Sequence, residues 1–186
     1  MKLFFRADAN KVIGAGHVMR CAAISEEAMA RGIETELVGS IFEIDWLAKK
    51  VSNGLFTRWT DPEMASNELG DLLIIDSYHV DCDEEFIQRS HWAKSICLVD
   101  RETPEYSADL YIGFLENVDW PFSKKILESK IITGVKYNPV RQIHGKSPIA
   151  NECVLGSLKI MVVGGGTNYL RLTDRIVKIL VKTDLP

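Results

Sequence analysis

The chain has 186 residues, 46% of them hydrophobic and 26% charged, the proportions of a globular protein able to bury a core. Its formal net charge of −4 excludes a general affinity for nucleic acid, which needs a basic surface. No run reaches the ~18 uninterrupted apolar residues of a membrane-spanning helix, and the opening MKLFFRADAN turns polar too soon for a signal peptide.

In chain order, Lys2–Arg6 reads as a first strand, and residues 18–31 as a helix whose alanines (Ala22, Ala23, Ala28, Ala30) permit close packing. Gly32 is its stop signal. A strand over 35–38, a helix over 42–51, a strand over 55–59 and a short helix opened by Pro62 follow. The apolar run 71–75 predicts a strand, 82–93 a helix, and 95–99, 109–112 and 131–133 further strands. Strands alternating with helices imply crossover units, hence an α/β fold: a Rossmann-like, mostly parallel sheet with helices on both faces. Cys21, Cys82, Cys97 and Cys153 lack CxxC spacing. They are expected to be reduced, buried thiols of a cytoplasmic protein, with neither zinc nor disulfides.

The polar, weakly patterned stretch from Val140 to Leu155 contains Pro148 and reads as a linker. The expected organisation is a catalytic domain over 1–140, a linker over 141–156, and the first strand and helix (near 169–181) of an incomplete second domain over 157–186. One strand and one helix cannot bury their apolar faces alone, so we expect the chain to be the front part of a longer protein.

The loop from Arg6 to Arg20, RADANKVIGAGHVMR, joins the first strand to the first helix. In an open α/β sheet such loops line the ligand crevice. Gly14 and Gly16 let the backbone approach a ligand, and the helix start presents N–H groups suited to a phosphate. A dinucleotide fingerprint fails, because Met19 stands where its third glycine would be. His17, between glycine loop and helix, is expected to face an open groove. The helix dipole there favours the neutral imidazole that a general base requires. Arg20, three residues on, shares its helix face; it is either a surface ion pair or a phosphate or carboxylate contact.

A second polar cluster, Asp76-Ser77-Tyr78-His79-Val80-Asp81, follows the apolar run. Asp81 reads best as a helix cap, whereas Asp76 and Tyr78 are placed to point into the crevice. Asp100 and Arg101 repeat the pattern less specifically. His79, His91 and His144 show no partner or metal spacing and read as structural.

The G-x-G-H-x-x-R run ending at Arg20, the D-x-Y of Asp76 and Tyr78, and the G-x-K-Y-x-x-x-R of Gly134, Lys136, Tyr137 and Arg141 resemble the pseudaminic-acid pathway hydrolases. That family, also described as spore-coat polysaccharide SpsG-like proteins, cleaves UDP from a UDP-linked diacetamido-trideoxy-altropyranose. Gly165-Gly166-Thr167-Asn168 resembles the opening of the family's second domain. The chain departs from the family at Ser77, where a histidine is common, and at Asn168, where an aspartate is.

The resemblance implies a glycosyltransferase-B-like architecture of two Rossmann-like domains, with the nucleotide held mainly by the second. It also implies His17 as catalytic base, Tyr78 in the active site, and substrate contacts from the loop and Arg141. The expected substrate-binding set is Arg6, Asp8, Gly14, Gly16, Arg20, Asp76 and Arg141, with no cofactor, no metal, and a small nucleotide sugar as partner. The rival readings are a glycosyltransferase of the same architecture, a nucleotide-sugar epimerase, and a non-catalytic domain that binds a sugar or a protein partner.

Overall fold

The computed structural model describes residues 1–65, 69–78, 91–99, 108–114, 131–141, 160, 162 and 171–183. Seven strands form one parallel sheet: β1 Lys2–Arg6, β2 Glu34–Val38, β3 Arg58–Thr60, β4 Leu69–Ile75, β5 His91–Val99, β6 Leu110–Gly113 and β7 Ile131–Thr133, in the order β3-β2-β1-β4-β5-β6-β7. This is a Rossmann-like α/β sheet. Each ladder between neighbouring strands is parallel.

Alternation along the strands fills both faces with apolar side chains, which is what a sheet covered on both sides requires. Leu3, Phe5, Leu37, Ile74 and Leu98 belong to one core, and Phe4, Val38, Leu73, Ile75, Cys97 and Val99 to the other. Helix α1, Gly16–Ala30, covers the first face with Val18, Cys21, Ala22, Ser25 and Ala28, a stripe at helical spacing. The buried hydroxyl of Ser25 lies 2.8 Å from both Thr35 Oγ1 and the Leu55 carbonyl, tying α1 to β2. Helix α2, Asp45–Lys50, runs into a widened turn, Val51–Leu55, that ends on β3.

Most strand expectations hold within a residue or two; the helix limits move further. Helix α1 starts two residues before 18, so His17 is helical rather than in the preceding loop. The segment at 42–44 precedes α2, and Leu55 closes the helical turn rather than opening a strand. The largest correction concerns 91–93: these residues pair with β4 as the start of β5, so the helix expected over 82–93 cannot extend that far. Apolar Trp92 and Ala93 fit both periods, and pairing along β4 decides for the strand. The rest of that helix lies outside the described residues, as do the glycine triplet and Gly165–Asn168.

Helix α3, Leu172–Lys182, starts slightly later than expected and buries none of its residues. The other described residues of the expected linker and second domain are Arg141, Ile160, Val162, Arg171 and Thr183.

Candidate functional site

From β1 the chain crosses over α1 to β2 on one side, while β4 lies on the other side of β1. The winding direction therefore reverses between β1 and β4, and the crevice outside the carboxyl ends of these strands is where open α/β sheets bind ligands. The two ends are held together: the Asp76 N–H donates to the Arg6 carbonyl at 3.0 Å.

Asp76 follows β4 and is buried, 1% exposed. His17 Nδ1 lies 2.6 Å from its Oδ1. Arg20, one turn along α1 from His17, grips both carboxylate oxygens, Nε to Oδ2 at 2.8 Å and Nη2 to Oδ1 at 2.6 Å. Arg20 Nη2 also comes within 2.9 Å of His17 Nδ1, but Nδ1 cannot accept from Arg20 while touching a carboxylate oxygen without a proton between them. The assignment that suits all three groups has Nδ1–H donating to Asp76 and Arg20 donating to the same carboxylate. The ring's lone pair is then on Nε2.

Tyr78 meets the His17 ring edge-on, centroids 4.4 Å apart and planes at 87°. The Arg20 guanidinium stands 5.2 Å from the Phe114 ring centroid. The carboxylate of Asp76 is also felt by two buried thiols. Burial first, and the Asp76 charge second, raise the Cys21 and Cys97 pKa values well above the ordinary cysteine value.

One expectation is corrected here. The His17 side chain is packed, only 4% exposed, rather than set in an open groove. The Asp76–Arg20 clamp draws the Nδ1 edge inward, and Tyr78 packs against the ring. Arg20 makes a carboxylate contact, with Asp76 of its own chain.

The other candidates lie around this centre. Buried Arg6 donates to Asp8 Oδ1 at 2.7 Å, and Asp8 Oδ1 also accepts from the Ser40 N–H at 2.8 Å. Both line a cavity of about 380 Å³ with Ala9, Asn10, Ile13, Ser40, Phe42, Asp61, Pro62 and Glu63. Gly14 has φ +83°, and its N–H donates to the Asn10 carbonyl at 2.7 Å; it is needed for the turn. Gly16 opens α1, whose N-terminus has no side-chain cap. Arg141 donates through Nε (2.6 Å) and Nη2 to Glu26 of α1, and lines a cavity of about 200 Å³ with Gly16, Met19, Arg20, Pro139 and Val140. Thus Gly16, Arg20 and Arg141 come together, as do Arg6 and Asp8, while His17, Arg20, Asp76 and Tyr78 form the centre between them. Asp81, Asp100, Arg101, His79 and His144 lie outside the described residues, and His91 begins β5.

A third cavity, about 470 Å³, is lined mainly by apolar residues of α1 and the sheet, among them Ile24, Leu72, Ile96 and Ile112. Its two charged members, Glu27 and Arg31, pair with each other at 2.6 Å, so its size is not matched by convergent chemistry. Ser40, Phe42, Asp61 and Glu63 went unnoticed in the sequence. They sit on separate loops after β2 and β3, and only the parallel pairing of β2 with β1 and of β3 with β2 brings them beside Asp8. Comparison with family models, curated proteins and solved structures returns no match to the chain.

Proposed function

We propose that the chain carries the catalytic half of a nucleotide-sugar hydrolase that releases UDP from a UDP-linked diacetamido-trideoxy sugar. The observation that carries this reading is the 2.6 Å contact between His17 Nδ1 and Asp76 Oδ1 at the reversal of the sheet. An imidazole whose Nδ1–H is held by a buried carboxylate keeps its tautomer and orientation fixed, leaving Nε2 to take a proton. In the proposed step a water gives its proton to Nε2 while its oxygen attacks the anomeric carbon. The bond from that carbon to the diphosphate oxygen breaks, and the electron pair leaves with UDP, inverting the centre. Catalysis asks for one reachable lone pair and not an exposed ring, and 4% of the side chain is open. The two-domain, glycosyltransferase-B-like arrangement and the sugar's identity belong to the same proposal and draw on the motif resemblance.

The test is UDP release by the complete protein carrying His17→Asn, with folding followed by thermal denaturation. Loss of a general base lowers turnover by about 100- to 10,000-fold. A correctly folded variant with normal turnover overturns the assignment. Product analysis separates hydrolysis from its rivals: free sugar formed without an acceptor supports it, an acceptor requirement indicates a transferase, and an intact isomerised substrate an epimerase.

The burial of His17 favours one other reading. In it, His17, Arg20 and Asp76 are a structural clamp between α1 and β4 in a domain that binds without catalysing. Under that reading Tyr78→Phe and His17→Asn change stability and leave any activity of the complete protein untouched.

A further inference from the structure

The cavity of about 380 Å³ beyond β1, β2 and β3 has the size of a small-molecule site and a lining unlike that of a phosphate pocket. Arg6 is already occupied by Asp8 at 2.7 Å, so the remaining charge of the lining comes from the carboxylates of Asp61 and Glu63. These repel an anion and accept hydrogen bonds from hydroxyl, amide or ammonium donors. Phe42, an aromatic ring 67% exposed to solvent, belongs to the same lining. A flat apolar ring beside hydrogen-bond acceptors suits a ligand with one apolar face and a polar edge, which describes a pyranose.

The walls are knit together. Ala9 N–H donates to the Ser40 carbonyl at 2.9 Å and Phe42 N–H to the Ala9 carbonyl at 2.8 Å, while Lys11 and Glu43 pair at 3.4 Å. Phe42 is therefore presented on a fixed loop.

We infer that this cavity is a sugar subsite: it takes a neutral or amino-substituted monosaccharide unit against Phe42, Asp61 and Glu63, and excludes the nucleotide's phosphates. The inference deepens the nucleotide-sugar reading and rests on it for the choice of a sugar. Its test reads binding without turnover, so the two fail separately.

The experiment titrates the ¹⁵N-labelled chain with glucose, glucosamine, N-acetylglucosamine and a 2,4-diacetamido-2,4,6-trideoxyhexose, and in parallel with UDP and inorganic phosphate. The inference predicts saturable shifts of the Asn10, Ser40 and Phe42 amides with at least one sugar and none with phosphate. Phe42→Ala and Glu63→Gln, both at exposed positions, each weaken that binding by about tenfold. Silence toward every sugar overturns the inference, as do phosphate or UDP shifting these amides, or sugar binding indifferent to both substitutions. If sugar binding behaves as expected but the complete protein releases no UDP, the subsite stands and the hydrolase reading falls.

Discussion

At the scale of single residues, the centre is a buried carboxylate shared by a guanidinium and an imidazole. Removing one partner of such a group leaves the other charge without compensation in a poorly solvated place, which costs roughly 3–5 kcal/mol. Asp76→Ala strands Arg20 and His17 on α1, and Arg20→Met strands Asp76, so each is expected to lower stability by about that amount in urea unfolding. A loss below about 1 kcal/mol for both would show that the clamp does not hold α1 to β4. The buried thiols give a second prediction. Cys21 and Cys97 have raised pKa values because of burial, with Asp76 adding to it, and the thiolate is the reactive form. Both should resist iodoacetamide at neutral pH in the folded protein and react once it is unfolded, read by peptide mass spectrometry. The linkage sign follows. Thiols whose folded pKa is raised contribute fully below the unfolded value of about 8.5 and lose that contribution as pH climbs above it. Stability should therefore fall on the alkaline side, and less so in Cys97→Ser. Asp109 runs the opposite way. The Ser95 N–H, and then Lys94, lower its pKa, so its small, surface-screened contribution is present above the unfolded value and lost as pH falls through the folded one.

At the scale of elements, two glycines that look alike in the sequence differ in kind. Gly32 ends α1 with φ +74° in open space, so Gly32→Ala meets only backbone strain, about 1 kcal/mol. Gly39, just after β2, would place a Cβ 1.7 Å from the Ala7 carbonyl oxygen, while its own N–H donates to Thr60 and its carbonyl accepts from Trp59 Nε1. Gly39→Ala must push β1 and β2 apart at their carboxyl ends and should cost roughly 3 kcal/mol or more. Comparing the two melting temperatures checks this; equal shifts would refute the close approach. The sequence marked Gly32 because helix stops have a local signature. Gly39 carried no local sign, since the atom it avoids belongs to a residue 32 positions earlier. The strand cores at β1, β2 and β4 were legible because runs such as KLFFR and DLLII are apolar on both alternating faces. The end of β5 facing the expected 82–93 helix was not, because Trp92 and Ala93 suit either period and β4 decides between them. Helix α3 was legible from its amphipathic spacing, and it leaves Ile179 65% and Val181 82% exposed.

At the scale of the whole molecule, the reversal of strand order between β1 and β4 sets where chemistry can gather. It puts the loop after β1 beside Asp76, with the sugar cavity on the β2–β3 side and the Arg20–Arg141 cavity on the other. The two-domain proposal assigns most nucleotide contacts to a second unit. UDP titrated calorimetrically into the 186-residue chain should then bind no tighter than about 1 mM; micromolar binding would locate the nucleotide on this sheet instead.

By itself the sequence determined the α/β class, the parallel sheet, the glycine turn ahead of α1, and the shared face of His17 and Arg20. All of these depend on neighbours a few residues apart, where periodicity and backbone preference act. Tertiary structure alone decided that Asp76 is the partner of both, that the His17 ring is packed and not open, and that Phe42, Asp61 and Glu63 meet Asp8. Those relations join loops from different strands. Their distances are set by strand pairing and helix packing, which no short window of the chain encodes.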